Sequence, residues 1–293
     1  MTREYKFFVT DAFTDRSFVG NPSGIVLIEG NMRDEEMQKA ARELKHSETA
    51  FVRPLDRDIY DVRYFTPTEE VKLSGHGALS TFWTLAEQGY ISNRKSKVTV
   101  VQHTKAGQLH ADIEFECDKL KFVNVELPVI NSINKIDDVE EVSQAFSIDR
   151  DSIGIDEEMA PAVIDNGIST MVIPVKNRDM LFAINPKRRR MEALAKKYGC
   201  VAFHLFYYDS GKGVTEQRNF SPAIGVWEES GTGTGSGAMY HYLKVNEKLA
   251  AEKLIARQGK EVERPSEIVV SEKNGSVYIG GRACIVMEGI LRI

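Results

Sequence analysis

One segment of this chain is written twice. Val62 to Leu79 reads VRYFTPTEEVKLSGHGAL, and Gln217 to Met239 reads QRNFSPAIGVWEESGTGTGSGAM. Both run Arg-x-Phe-(Thr/Ser)-Pro, then a valine and acids, then a glycine-rich turn and a small-residue helix start. Upstream of each lies a helical pattern that ends in a strand: MQKAARELKHSETAFV in the first case, MEALAKKYGCVAFHLFYY in the second, with Ala50-Phe51 set against Ala202-Phe203. Single amphipathic helix–strand units resemble one another by chance. An Arg-x-Phe-x-Pro and a glycine turn recurring in the same order instead point to a duplicated unit. The chain is therefore read as two homologous halves, with a site expected in the cleft between them.

Strand patterns dominate both halves: FFVTDAF, SGIVLIEG, KVTVVQH and LHADIEF, then TMVIPV, EIVVSE, SVYIGG and CIVMEGILRI. Periodicity predicts two helices per half, one amphipathic before a strand and one starting at the glycine turn. The latter, GHGALSTFWTLAEQGY and GTGSGAMYHYLKVNE, are small or apolar on most faces, which marks a helix buried on all sides. The fold class expected is α+β, a mostly β half wrapped around one buried helix, twice. The boundary falls in the polar stretch Pro128 to Asp138, which divides residues 1–127 from residues 128–283.

Over 293 residues, 42% hydrophobic and 28% charged side chains leave enough apolar material for a substantial core. A net charge of -5 argues against a nucleic-acid surface, and Lys187 to Arg190 reads as the solvated start of a helix. Cys117, Cys200 and Cys284 are far apart and without metal spacing, which suggests reduced thiols in a cytoplasmic protein. No apolar run has the length of a signal peptide or of a membrane span, so no membrane partner is expected. His103, His110, His204 and His241 show no metal spacing on one face, and no metal is expected.

The run EESGTGTGSGAM (Glu228 to Met239) has the composition of an anion-holding loop. No lysine follows it, and two acids beside it would repel a triphosphate, so it is not a nucleotide-hydrolase loop. Gly233-x-Gly235-x-x-Ala238 satisfies the relaxed dinucleotide fingerprint, but polar, acidic residues precede it where a buried strand should be. The anion is expected to be something other than a nucleotide, and no cofactor is expected.

Four stretches resemble the PhzF-like family, the phenazine-biosynthesis isomerases and their relatives on the diaminopimelate-epimerase-like fold. They are DAFTDRSFVGNPSGIVL (Asp11 to Leu27), SETAFV (Ser47 to Val52), LSGHGAL (Leu73 to Leu79) and EESGTGT (Glu228 to Thr234). In this order and at these spacings they span almost the whole chain. The resemblance implies two barrel-like halves, each around a central helix, a site between them, a homodimer, and a last strand (284–293) returning to the first half. It implies that Glu48 is the catalytic acid/base, that Gly75 and His76 form the first anion-holding loop, and that Gly233 belongs to the second. Thr234 stands where the family has serine, Glu229 where it has aspartate, Ser230 where it has proline, and Gly77 where it has alanine after the histidine.

The residues themselves agree with that chemistry. Helix N-termini present unpaired N–H groups and about half a positive charge, and two such ends can hold a substrate carboxylate while glycines let it approach the backbone. The same donors stabilise enolate-like charge on the adjacent carbon. Glu48 would remove a proton and return it elsewhere, its carboxyl raised toward a useful range by the apolar Ala50, Phe51 and Val52. His76 and Glu229 would assist electrostatically; Gly75, Gly233 and Thr234 would hold the anion. Asn21, between Gly20 and Pro22, reads first as a turn residue and second as a substrate contact. Cys200, set against Glu48 in the repeat, reads as a core thiol.

The function expected is a cofactor-independent isomerisation of a small carboxylate-containing metabolite. A two-base amino-acid epimerase of this architecture resembles its relatives in placing a cysteine at each helix N-terminus. Here Ser74 and the hydroxyls of Thr232, Thr234 and Ser236 stand there, and an alcohol without a dedicated base is far too weakly acidic for that role. A non-catalytic member that binds or senses a small acid is the other alternative, favoured by the altered Glu229 and Ser230.

Overall fold

The computed structural model describes residues 2–92, 95–130, 132–155 and 159–293; Asn131, in the polar boundary stretch, lies outside the described residues. In chain order the first elements are β1 (Glu4–Ala12), β2 (Asn21–Leu27), α1 (Asp34–Leu44), β3 (Thr49–Asp56), β4 (Ile59–Phe65), β5 (Glu70–Val71), α2 (Gly75–Glu87), β6 (Lys97–Thr104), β7 (Gly107–Glu116) and β8 (Lys119–Glu126). There follow β9 (Ser132–Lys135), α3 (Val139–Phe146), β10 (Ala162–Asp165), β11 (Ser169–Pro174), α4 (Arg178–Ala183), α5 (Arg188–Tyr198), β12 (Ala202–Asp209), β13 (Val214–Ser221) and β14 (Val226–Glu229). The chain closes with α6 (Gly233–Val245), β15 (Lys253–Gln258), β16 (Ser266–Lys273), β17 (Ser276–Gly281) and β18 (Ala283–Arg292).

Two compact units result, residues 1–128 with 278–293 and residues 129–277. The returning segment begins at 278 rather than 284, because Tyr278 to Gly281 already pairs antiparallel with β8. In the first unit the strands run β18-β1-β2-β3-β4-β6-β7-β8-β17, with β2–β3 and β4–β6 parallel and the other pairs antiparallel. Helix α2 touches strands from both ends of this order, β18, β1 and β2 as well as β7 and β8, so the sheet curls around it. Gly75 to Ala86 are all buried, as a helix apolar on every face requires. Its large side chains Leu79, Phe82 and Leu85 are at most 1% exposed, and each contributes about 1.5–3 kcal/mol by leaving water.

The second unit repeats the plan. Its pairs β10–β11, β11–β12, β12–β13, β13–β14, β13–β15 and β15–β16 are antiparallel, parallel, antiparallel, antiparallel, parallel and antiparallel. That is the series made by β1 to β7. Helix α6 takes the place of α2 against β10, β11, β12 and β16. Helices α1 and α5 lie outside the sheets: Met37, Ala40 and Ala41 of α1 pack on Phe51 and Phe65, and Met191, Leu194 and Ala195 of α5 join the core of Phe203 and Phe220. Both helices stop in a left-handed residue, Lys45 at φ 58° and Gly199 at φ 65°.

Two local expectations are corrected. The second unit holds two further helices among the described residues, α3 and α4. Both are too short for a strong period, and they are fixed at their starts by Asp138, which accepts the Glu141 N–H at 3.3 Å, and Asn177, which accepts those of Asp179 and Met180. The repeat alignment also shifts. Thr49 faces Phe65 across β3–β4, whereas Phe203 faces Phe220 across β12–β13. Measured against the duplicated Arg-x-Phe strand, the residue level with Glu48 is thus Ala202, two positions beyond Cys200.

The arginine of the duplicated motif has the same task twice. Arg63 Nε and Nη2 donate to both oxygens of Glu70 at 2.8 and 2.7 Å, and Arg218 Nε and Nη2 to both oxygens of Glu228 at 2.8 and 2.9 Å. Each fork ties the strand before the proline to the acid that leads into the glycine turn, a planar match that only arginine makes.

Candidate active site

Glu48 lies between the left-handed end of α1 and the start of β3, where its carbonyl accepts the Gly24 N–H at 3.3 Å and fixes the backbone. Only 8% of the residue is exposed. Its Oε2 stands 3.1 Å from His76 Nε2, an ion-pair distance whose alignment falls short of a directed hydrogen bond. Ser47 Oγ lies 3.3 Å from the same ring nitrogen, and Ser74 Oγ 3.5 Å from Nδ1. Burial pushes the Glu48 carboxyl up, but the His76 charge, the His76 contact and Ser47 together hold it below the usual glutamate range. The expected upward shift is therefore reversed: desolvation acts as expected, and the neighbouring imidazole outweighs it.

His76 is the second residue of α2, and Gly75 the first. Ser74 is the N-cap, its Oγ accepting the Gly77 N–H at 3.1 Å, so the amides of Gly75 and His76 precede the hydrogen bonds of the helix. Gly77 is explained by the same cap. A Cβ there would sit 2.8 Å from Ser74 Oγ and 3.2 Å from Tyr64 Cε1. Asn21 is buried and opens β2 opposite Ala12, while Gly20 at φ 74° makes the turn before it.

In the second unit α6 begins at Gly233, so Gly233, Gly235 and Gly237 lie inside its first two turns rather than ahead of it. Glycine in a helix costs about 1 kcal/mol, and Gly235 shows what requires it. A Cβ there would lie 2.4 Å from Nδ1 of His204, which is wholly buried and bonded to Asn219 Oδ1 at 3.1 Å. Burial lowers the His204 pKa to about 4, so the ring is neutral. Gly233 and Thr234 form the first turn, and the Thr234 carbonyl accepts Asn166 Nδ2 at 2.8 Å. Unlike Ser74, the N-cap Thr232 makes no side-chain cap bond. Its hydroxyl instead donates to Glu229 Oε2 at 2.6 Å. Cys200 is 4% exposed in the core beside α5, and burial pushes its thiol up to about 12, well outside the range of a base or nucleophile.

Sequence reasoning passed over Asn166 and Gln258 and weighed His204 only as a metal ligand; all three surround the start of α6. The available signal was period two in β15: Leu254, Ala256 and Gln258 share the buried face, so Gln258 is a polar residue at an inward position.

The phenazine biosynthesis-like protein family (PhzC–PhzF) matches residues 10–289 of this chain. An uncharacterized isomerase of Clostridium acetobutylicum is 31% identical over 99% of each chain. The crystal structure of a PhzF-family phenazine biosynthesis protein of Bacillus anthracis superposes with a TM-score of 0.84 at 28% identity, covering 99% of this chain and 100% of that one. A hydroxyproline epimerase of Agrobacterium vitis, at 12% identity, shares the fold with a TM-score of 0.69 over 99% of this chain and 93% of its own. The architecture is the diaminopimelate-epimerase-like fold.

Proposed function

We propose, from the premise that this chain belongs to the phenazine biosynthesis-like (PhzC–PhzF) family of isomerases, that it moves a proton on a small carboxylate-bearing metabolite without a cofactor. The observation that carries the reading is the buried Glu48–His76 pair at the start of α2, with Oε2 and Nε2 3.1 Å apart. A carboxylate held ionised inside a protein is a base at neutral pH, and it becomes the acid that returns the proton once it has taken one. The amides of Gly75 and His76, and those of Gly233 and Thr234, are the donors proposed for the substrate carboxylate and for the charge that develops beside it. The absence of a side-chain cap on α6 favours this use, since its first amides are not taken by Thr232.

In this reading Glu48 shuttles the proton, His76 and Glu229 stabilise its charged states, and Asn21 contacts the substrate. Three of the hydroxyls standing where a two-thiol epimerase has cysteines are committed elsewhere: Ser74 to the Gly77 amide, Thr232 to Glu229 and Ser236 to Gln217. A single-carboxylate proton shift therefore fits these residues better than a two-base racemisation. The engagement of Glu229 by Thr232 favours a second reading, a non-catalytic small-acid binder in which that carboxylate only shapes the loop. Incubating the purified protein with a panel of carboxylate metabolites in heavy water separates the two. Carbon-bound deuterium is expected, and saturable binding without exchange for every compound would establish the second reading instead.

A further inference from the structure

The loop that carries Glu229 is held from outside the glycine motif. Gln258, the last residue of β15, is 3% exposed. Its Oε1 accepts the Thr232 N–H at 3.0 Å, while its Nε2 donates to the Glu229 carbonyl at 2.8 Å and to Thr232 Oγ1 at 3.0 Å. A backbone N–H can only donate, so Oε1 must face it, and the orientation of the amide is fixed by its partners. The Thr232 hydroxyl therefore receives a hydrogen from Gln258 and directs its own to Glu229 Oε2, 2.6 Å away. The order of donation runs Gln258 to Thr232 to Glu229.

The backbone behind this chain of bonds is pressed into place. Gly259 has φ 85°, and a Cβ on it would lie 2.2 Å from the Arg264 carbonyl oxygen and 2.4 Å from that of Ser230. Arg264 N–H closes the segment on the Gly259 carbonyl at 2.9 Å. The 258–264 segment thus abuts the 229–232 loop through main-chain atoms at Gly259.

We infer that Gln258 is a positioning residue which, through the Thr232 hydroxyl, aims and holds the carboxylate of Glu229. Its relevance to catalysis rests on the reading that Glu229 assists the proton shift; the relay itself does not.

Two measurements keep those apart. The first needs no substrate: the side-chain carboxyl ¹³C resonance of Glu229 is followed at fixed pH in protein labelled on glutamate and assigned with Glu229→Gln. Thr232→Val and Gln258→Leu both move this resonance in the same direction, although Gln258 does not touch the carboxylate, and Thr232→Ser leaves it in place. Gln258→Met, which keeps the length of the side chain and loses the amide donor without adding a charge, moves it too and replaces the leucine variant if that fails to fold. A folded Gln258 variant with an unmoved resonance overturns the proposal.

The second measurement uses whichever panel compound exchanges deuterium with the parent protein. In Thr232→Val and Gln258→Leu, kcat falls at least about tenfold, the loss of one hydrogen bond to a charged group, with KM within about twofold and Thr232→Ser restoring the rate. A moved resonance with unchanged kcat keeps the relay and removes Glu229 from catalysis. Absence of exchange in the parent protein defeats the functional reading while the resonance still decides the relay.

Discussion

Replacing Glu228 by glutamine tests the duplicated arginine fork at its more buried copy. Arg218 and Glu228 have side chains only 9% and 8% exposed, and among the described residues the remaining Arg218 nitrogen, Nη1, reaches only the carbonyls of Ile184 at 3.1 Å and Leu181 at 3.4 Å. Glu228→Gln leaves the guanidinium buried without a counter-charge. Removing one partner of a buried pair costs about 3–5 kcal/mol, and glutamine, which still accepts one hydrogen bond, should fall near the lower figure. The first-unit copy supplies the control. Arg63 is 24% exposed, Asp34 Oδ1 lies 2.5 Å from its Nη1, and Lys105 shares Glu70 at 2.5 Å. After Glu70→Gln the arginine keeps Asp34 and some water, so about 1–2 kcal/mol is expected, the usual cost of one lost hydrogen bond. Urea unfolding followed by circular dichroism reads both variants, with transitions of the two units fitted separately if they part. A Glu70→Gln loss equal to or greater than that of Glu228→Gln would refute the argument that burial and spare partners set these costs.

In His76→Asn, Glu48 keeps its burial but loses the charge that holds its carboxyl down. In the parent the pair contributes stability above the unfolded value of about 4.3, lost as pH falls through the depressed folded value; in the variant the carboxyl rises above about 4.3, so stability increases as pH falls from 7 toward it. Urea midpoints from pH 5.5 to pH 4, below the range in which an unfolded histidine titrates, read the opposite slopes, and parallel slopes would sink the assignment. Gly235→Ala places a methyl against buried His204 and should destabilise by about 1–3 kcal/mol, overpacking and a strained His204–Asn219 bond exceeding the gain of about 1 kcal/mol in helix propensity. A Tm at or above that of the parent protein would contradict this. For native protein at pH 8, an aromatic disulfide reagent should label exposed Cys117 and spare Cys200 until unfolding, because burial keeps the Cys200 thiol protonated; rapid labelling of Cys200 would show that the core beside α5 opens.

Much of the fold was legible because its signals are local. Alternating runs such as KVTVVQH form β6, and the small-residue stretches after the two glycine turns form the buried α2 and α6. The parts that were hidden depend on partners distant in sequence. Nothing in ETAF and CVAF reveals a two-residue difference in register against the Arg-x-Phe strand, since an even shift leaves the hydrophobic alternation intact. The apolar flanks of Glu48 suggested a raised carboxyl, yet its main opponent, His76, comes 28 residues later and meets it only through the fold. Gly77 and Gly235 look alike in a glycine-rich stretch, but one makes room for a cap hydroxyl and the other for a histidine from β12. Gln258 carried a signal, a polar side chain on the inward face of a strand, whose meaning depends on a loop nearly thirty residues upstream.

In the proposed function one carboxylate, Glu48, carries the proton. Glu48→Gln preserves shape and hydrogen-bonding reach and removes the base, so deuterium incorporation into the panel compound turned over by the parent protein measures the claim directly. The rate should fall by about 10²–10⁴, the usual contribution of general acid–base catalysis, while calorimetric affinity for that compound stays within a few-fold and Cys200→Ser retains nearly full activity. Undiminished exchange in Glu48→Gln, above all beside an inactive Cys200→Ser, would contradict the account.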